Sequence, residues 1–146
     1  MLAQNFKDAT ELKLTEQQKD ALVKTLVLLE TGKVSHVQIP SDARYNDSTP
    51  KFEGKFNMNR WGIYSIEACG TICCIGGTAE LVGGLRQLDL QRACDGNPAL
   101  EDLFYPSCER FKYDKITPSK AATALRSYLT NGDARWDLAL ASCKGT

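Results

Sequence analysis

The sequence has little of what several large classes of proteins require. It has a single histidine, and its 146 residues carry no excess of either charge, with 18 basic and 18 acidic side chains. Each half of the chain is also within one charge of neutrality. Binding to nucleic acids or anionic membranes normally depends on surplus Lys and Arg. The balance therefore argues against either as the main partner, although four arginines could still gather on one surface: Arg86, Arg92, Arg110 and Arg126.

Long hydrophobic runs are also missing. No uncharged apolar stretch approaches the roughly 18–20 residues of a membrane-spanning helix. The first ten residues lack the apolar core of a secretory signal, and they include an acidic side chain that is atypical of transit peptides. We therefore expect a cytoplasmic protein with no membrane partner, unless a leader has been removed.

The residues that are present suit a single folded domain over residues 1–146. An apolar fraction of 42% and periodic hydrophobic segments exclude wholesale disorder. A chain of this length buries roughly 70% of the surface that its unfolded form exposes, which is enough for a core without disulfides or metals.

The cysteines are unevenly spaced, since three of the six fall between residues 69 and 74. Thiols stay reduced in the cytosol, so disulfides are not predicted. Cys-x-x-Cys pairs, which are typical of zinc sites, are absent. Buried thiols that pack as small apolar side chains are the favoured interpretation, with no cofactor. Zinc held by Cys69, Cys73 and Cys74, with a more distant cysteine completing the site, is the alternative.

A cysteine nucleophile is a second alternative. The segment around Cys69, EACGT, faintly resembles the Gln-Ala-Cys-x-Gly of caspases, and His36 lies upstream as the histidine does in that family. A helix beginning at Cys69 would lower the pKa of its thiol. However, the chain looks too short and too helical for a caspase, and no histidine follows Cys69 as papain-type enzymes require. Cys69 and His36 are therefore weak catalytic candidates, and the sequence favours a protein that is not an enzyme.

Local signals predict three well-bounded helices. Thr15 and Gln18 form a capping box for a helix over about 16–31, which Gly32 ends in a left-handed conformation. An Asn or Thr cap followed by proline begins two more helices, over 98–104 and from 118 to about 131. A closing segment around Trp136 is expected to pack back onto the core. Together these signals predict a mainly α fold, a single compact helical domain.

One small β element is expected in residues 34–58. Apolar and polar residues alternate after Pro50, from Phe52 to Met58, which is typical of a half-buried strand. This strand could pair with residues 34–39 as a hairpin, although a connection of about ten residues is long for one.

A glycine-rich segment over residues 61–85 stands out. It lacks the lysine and the glycine spacing of a phosphate-binding loop, and the dinucleotide fingerprint Gly-x-Gly-x-x-Gly is absent. Small residues would lie near one face of a helix here, at Gly76, Gly77, Ala79, Gly83 and Gly84. Each glycine within a helix costs about 1 kcal/mol relative to alanine, a cost that close backbone packing can offset. We therefore predict a close-packed central helix over about 71–83, beginning at Gly70-Thr71 and carrying Cys73 and Cys74 in the core.

Two motifs resemble those of a family of small uncharacterised bacterial and phage- or plasmid-associated proteins. The first runs Phe56-x-Met58-x-x-Trp61 and then Cys69-Gly70-Thr71-x-x-Cys74-Ile75-Gly76-Gly77-x-Ala79. The second runs Ile116-Thr117-Pro118-x-x-Ala121-Ala122-x-Ala124-Leu125-x-x-Tyr128-Leu129, followed by Gly132 and Trp136. The resemblance implies a mobile-element or accessory setting and assigns no catalytic residue, because that family has no assigned activity.

These observations favour a non-enzymatic accessory protein that acts through protein–protein contacts, with a homodimer as one form of such contact. Exposed aromatic side chains often anchor interfaces. Tyr45, Tyr105 and Tyr113 lie in polar stretches and are the candidate contact residues, although ordinary packing is the favoured interpretation of any one of them taken singly. A thiol-dependent or metal-binding protein centred on Cys69, Cys73 and Cys74 is the second functional hypothesis.

Overall fold

The computed structural model describes residues 6–41, 52–59, 61–65, 70–106 and 110–140, without the side chains of 62–65, 70 and 110–112. Seven α-helices and four β-strands lie in these ranges. The helices are α1 Ala9–Leu12, α2 Glu16–Glu30, α3 Ile75–Val82, α4 Asp89–Ala93, α5 Pro98–Phe104, α6 Pro118–Asn131 and α7 Trp136–Ala139. The strands are β1 Ser35–His36, β2 Phe52–Phe56, β3 Gly62–Ser65 and β4 Gly70–Cys73. A 3₁₀ turn, Arg110–Lys115, precedes α6. The prediction of a mainly α single domain is confirmed.

The predicted helix caps are present. The Thr15 hydroxyl accepts from the Gln18 backbone N–H at 3.0 Å, and the Gln18 side chain accepts from the Thr15 N–H at 2.9 Å. Gly32 follows α2 with φ +74°, the left-handed conformation that glycine adopts without a Cβ penalty. The Asn97 side chain caps α5 by accepting from the Leu100 backbone N–H, and the Thr117 side chain caps α6 by accepting from the Lys120 N–H. Proline follows each cap at the first helical position.

The sheet differs from the predicted hairpin. Its strand order is β1-β2-β4-β3, and β2 pairs in parallel with both β1 and β4, while β3 and β4 are antiparallel. The two strands expected to form a hairpin are therefore neighbours, but they run in the same direction. Residues 37–51 connect them, and a connection of a dozen or more residues is long enough for a parallel crossover. The alternating pattern indicated a strand, but it carried no information on its direction.

The central helix begins later than predicted. Residues 70–73 form strand β4, and α3 starts at Ile75 after the extended residue Cys74. The prediction of a helix beginning at Gly70-Thr71 is therefore wrong. β4 hydrogen-bonds to β2 on one side and to β3 on the other, and this pairing determines the conformation of residues 70–73.

The core lies where α2, α3 and α6 pack together and α3 meets the sheet. The apolar stripe of α2 is buried at Leu22, Leu26 and Leu29, whereas Val27 faces outwards with 39% of its surface exposed. The apolar residues along one face of α6 are all buried: Ala121, Ala122, Leu125, Tyr128 and Leu129. α7 packs on α6, as predicted for the segment around Trp136. No helix within the described ranges has the length and apolar character needed to cross a membrane.

Candidate functional site

The glycines at the start of α3 allow another part of the chain to approach unusually closely. A Cβ added at Gly76 would overlap the indole ring of Trp61, and one added at Gly77 would overlap the Trp61 backbone carbonyl. Gly83, just after the helix, is similarly close to Ala21 of α2. The predicted close packing is confirmed at Gly76, Gly77 and Gly83. It is wrong for Gly84, which lies beyond the helix with φ +67° and where an added Cβ would have no described atom within 4 Å. Through Gly76 and Gly77, Trp61 is seated directly on the first turn of α3.

Trp61 is the centre of an aromatic group. Its ring meets Phe104 edge to face, with ring centroids 5.1 Å apart and planes at 89°. It stacks on Tyr105 at 6.3 Å with planes 22° apart. Phe104 is buried, whereas Trp61 and Tyr105 are only partly buried. The Tyr105 hydroxyl accepts a hydrogen bond from the Gln91 side-chain amide at 2.9 Å, which ties the aromatic pair to α4.

Glu80 joins Trp61 to the start of α4. Residues 76 and 80 lie on the same face of α3, one turn apart, so the indole that covers Gly76 can reach the Glu80 carboxylate. Trp61 Nε1 donates to Glu80 Oε1 at 2.9 Å, and the Leu88 backbone N–H donates to the same oxygen at 2.9 Å. The Leu90 backbone N–H donates to Oε2 at 3.0 Å. Glu80 thus caps α4 from another helix.

This carboxylate is buried, with 5% of its residue surface exposed. Burial raises the pKa of Glu80 above its ordinary value, and the N–H donors from Trp61, Leu88 and Leu90 oppose that shift. Its hydrogen-bond partners among the described residues are N–H groups. A buried carboxylate held in this way fixes the position of every segment that donates to it.

Leu88 is held in a strained conformation with its side chain exposed. Its φ is +65°, in the left-handed region that branched and bulky residues rarely adopt, and 39% of its surface is exposed. Such strain persists only where the surrounding contacts impose it, and it concentrates at functional sites. Leu88 and its neighbours form what we name the Trp61 surface, made of Trp61, Leu88, Gln91 and Tyr105.

The two described cysteines of the predicted thiol cluster lie in the core. Cys73 and Cys74 are 3% and 2% exposed. Burial raises the pKa of the Cys74 thiol to about 12, so it stays protonated near neutral pH. A nucleophile or metal ligand requires the thiolate. Within the described ranges, no group of three or more His, Cys, Asp or Glu side chains could hold a metal ion.

The predicted Cys69–His36 pair lies partly outside the described residues, since Cys69 is not among them. His36 is partly buried on β1, in the same row of the sheet as Phe56 and Cys73. Gly70, the residue after Cys69, lies at the opposite end of β4 from that row. The Nε2 atom of His36 is buried without a hydrogen-bond partner among the described atoms.

The three tyrosines proposed as contact residues differ in placement. Tyr105 lies at the partly exposed end of α5 and belongs to the Trp61 surface. Tyr113 is buried, and its hydroxyl donates to the Pro106 carbonyl at 2.8 Å, so it packs as an ordinary core residue and is not an exposed contact residue. The residues that flank Tyr113 in the sequence are mostly polar, and a polar stretch does not indicate that a side chain within it is buried. Tyr45 lies outside the described residues.

Glu80 and Leu88 were missed from the sequence, and Trp61 entered only as part of a motif. A single glutamate within a glycine-rich apolar helix was an available signal, because a buried carboxylate requires several donors. The conformation of Leu88 left no such signal, since nothing in Gln87-Leu88-Asp89 favours a positive φ.

A groove lies between α2 and α6. It has a volume of about 330 Å³ and is lined by Leu29, Glu30, Ser119, Ala122, Thr123 and Arg126. Arg126 binds the Glu30 carboxylate through two N–H groups, at 2.7 Å and 2.6 Å. The two charged side chains of the groove are therefore paired with each other.

Comparison with protein-family models, with curated proteins and with solved structures found no match to this chain. The family suggested by its motifs therefore stays a prediction.

Proposed function

We propose that this protein is a non-enzymatic accessory protein that acts through protein–protein contacts made by the Trp61 surface. The carrying observation is the strained and exposed leucine, Leu88, whose backbone N–H shares a Glu80 carboxylate oxygen with Trp61 of the stacked, partly exposed aromatic pair. Trp and Tyr are the side chains that most often anchor interfaces. The motif resemblance supports a mobile-element setting, and the balanced charge supports a protein partner over a polyanion.

The geometry supports a rigid contact surface. Trp61 rests on backbone at Gly76 and Gly77, and its indole N–H is bound to Glu80. Leu88 is bound to the same carboxylate oxygen. Because these groups are already ordered in the free protein, binding would cost little additional side-chain entropy.

A second copy of the chain is the simplest partner, and it is tested first. Sedimentation equilibrium over a wide concentration range would compare the wild type with Leu88→Asn. Asparagine tolerates positive φ better than leucine, so this variant should fold normally while losing the apolar contact. Leu138→Asn is the matched control, because Leu138 is 59% exposed and lies on α7, outside the Trp61 surface.

A different partner would be detected by site-specific photo-crosslinking in cells. A photo-reactive phenylalanine derivative placed at position 88 should give a defined adduct, and the same residue at position 138 should not. Excess wild-type protein should compete for the adduct, and excess Leu88→Asn should compete much less. The proposal is overturned if the protein stays monomeric and positions 88 and 138 give the same adducts or none.

A further inference from the structure

The Trp61 surface is assembled by a single buried carboxylate. Glu80 Oε1 accepts from both the Trp61 indole and the Leu88 N–H, and Oε2 accepts from the Leu90 N–H. These donors come from two segments that do not belong to α3. Each carboxylate oxygen therefore already receives at least one N–H group.

We propose that Glu80 is a proton-controlled positioning residue. When ionised it holds Trp61 and the first turn of α4 in the Trp61 surface, and when protonated it loosens its bond to at least one of them. The N–H bonds to an ionised carboxylate are charge-assisted and roughly twice as strong as bonds to a neutral carboxyl group, so a proton on Glu80 weakens the bonds from Trp61, Leu88 and Leu90. This inference rests on the proposed function, because it describes how the same surface would be regulated.

The surroundings of Glu80 favour proton uptake. Its side chain is desolvated, which disfavours the charged form. Several elements pack against α3 and carry titratable or charged side chains. On α2 these side chains are Glu16, Lys19, Asp20, Lys24 and Glu30. The others are Glu53 and Lys55 on β2, Cys73 on β4, Cys74 before α3, Arg86 on the connection to α4, and Asp89 and Arg92 on α4. Apart from the two cysteines, none of these side chains is buried, so water screens their charges.

Two of these groups lie close to the Glu80 contacts. Cys74 interacts electrostatically with Glu80, but burial raises its pKa to about 12, so it stays neutral throughout the relevant range. Asp89 is the residue between the two donors of α4, and its carboxylate accepts from the Gln18 side chain at 2.7 Å.

The two tryptophans make a direct test possible. The Trp136 indole donates to the backbone carbonyls of Asp102 and Leu103, at 2.8 Å and 3.2 Å, and neither acceptor titrates. Two-dimensional ¹⁵N–¹H NMR would follow both indole N–H signals from pH 4 to pH 8 in the intact chain. We expect the Trp61 signal to move upfield as the pH falls, with a midpoint above 4.5, while the Trp136 signal stays in place.

A variant identifies the titrating group. Glu80→Gln has no proton to take up in this range, so its Trp61 signal should not shift with pH. If that variant does not fold, the wild-type titration still decides, because Trp136 is an internal control. A Trp61 signal that is constant between pH 4 and pH 8 would overturn the inference.

The same measurement separates this inference from the proposed function. Crosslinking from position 88 that persists while the Trp61 signal does not titrate would contradict only the regulation by Glu80. A titrating Trp61 signal with no specific crosslink or self-association at any pH would contradict the proposed contact function and leave the role of Glu80 in place.

Discussion

The close approach of Trp61 to α3 predicts that two adjacent glycines respond differently to the same substitution. Alanine in a helix is ordinarily preferred to glycine by about 1 kcal/mol. Without other contacts, Gly76→Ala and Gly77→Ala would therefore both stabilise the protein. The added Cβ atoms instead overlap different parts of Trp61, its side chain at position 76 and its backbone at position 77.

The loss of stability expected for each alanine variant depends on whether a side chain or the backbone must move to relieve the overlap. At Gly76 the overlapping atoms belong to the ring, including Cζ2 at 2.6 Å and Cζ3 at 2.7 Å, and the ring can tilt at some cost in packing. We expect Gly76→Ala to lower the free energy of unfolding by about 1–2 kcal/mol, which is the common range for overpacking. At Gly77 the chain itself must shift, so we expect a loss of about 3 kcal/mol.

A double-mutant cycle with Trp61→Leu tests this reasoning. Leucine lacks the ring atoms that meet position 76, so Gly76→Ala should become neutral or slightly stabilising in that background. The Trp61 carbonyl remains after the change, so Gly77→Ala should stay destabilising. Urea unfolding followed by far-UV circular dichroism measures the free energies of unfolding of all six proteins in the two cycles without depending on tryptophan fluorescence.

The outcome that would refute the reasoning is specific. If Gly77→Ala were as stable as the wild type or more so, Trp61 would not rest on α3 as described. If Trp61→Leu relieved both alanine variants equally, the distinction between ring and backbone contact would be wrong.

Three further predictions concern buried groups. Tyr128→Phe should raise the free energy of unfolding by about 1 kcal/mol, because the Tyr128 hydroxyl is buried without a hydrogen-bond partner among the described atoms. If urea unfolding instead showed a decrease of similar size in that free energy, the hydroxyl would be making a stabilising bond. Cys74 should resist alkylation by iodoacetamide at pH 8 until the protein is unfolded in urea, because burial raises the pKa of its thiol to about 12; modification of Cys74 in the native protein, seen by peptide mass spectrometry, would contradict its burial. The cost of burying the ionised Glu80 carboxylate outweighs the N–H bonds that ionisation strengthens, so burial raises the pKa of Glu80 above its ordinary value of 4.5. The folded chain therefore binds this proton more tightly than the unfolded chain. The stability that proton uptake contributes is full below pH 4.5 and is lost as the pH rises through the folded pKa, although protonation weakens the individual bonds to Trp61 and α4. The free energy of unfolding of the wild type relative to Glu80→Gln should therefore fall between pH 4 and pH 8, and a constant or rising difference would oppose this assignment.

The elements that sequence reasoning found correctly are those encoded by neighbouring residues. Thr15 with Gln18, and Thr117 with Pro118, are caps that act within one turn, so the helices they begin could be located from the sequence alone. The small size of Gly76 and Gly77 also indicated close packing, although it did not reveal which segment packs there.

The elements that were missed depend on distant partners. Residues 70–73 form a strand because β2 and β3 pair with it, and neither pairing is visible in the local pattern. The parallel direction of β1 and β2 is likewise not encoded in the alternating pattern of polar and apolar residues. Glu80 gains its role from donors on two other segments, so its importance emerges only when Trp61 and Leu88 meet it in three dimensions.

The central claim is that the Trp61 indole and the start of α4 converge on the Glu80 carboxylate, since the contact surface and its regulation both depend on that junction. Two N–H groups that donate to one oxygen place their protons within about 4 Å of each other. A nuclear Overhauser measurement on the uniformly labelled chain at neutral pH tests this directly. We predict a cross-peak between the Trp61 indole proton and the Leu88 amide proton. An indole proton that shows no contact with the Leu88 amide, and that exchanges with water as fast as in an unfolded chain, would contradict the account.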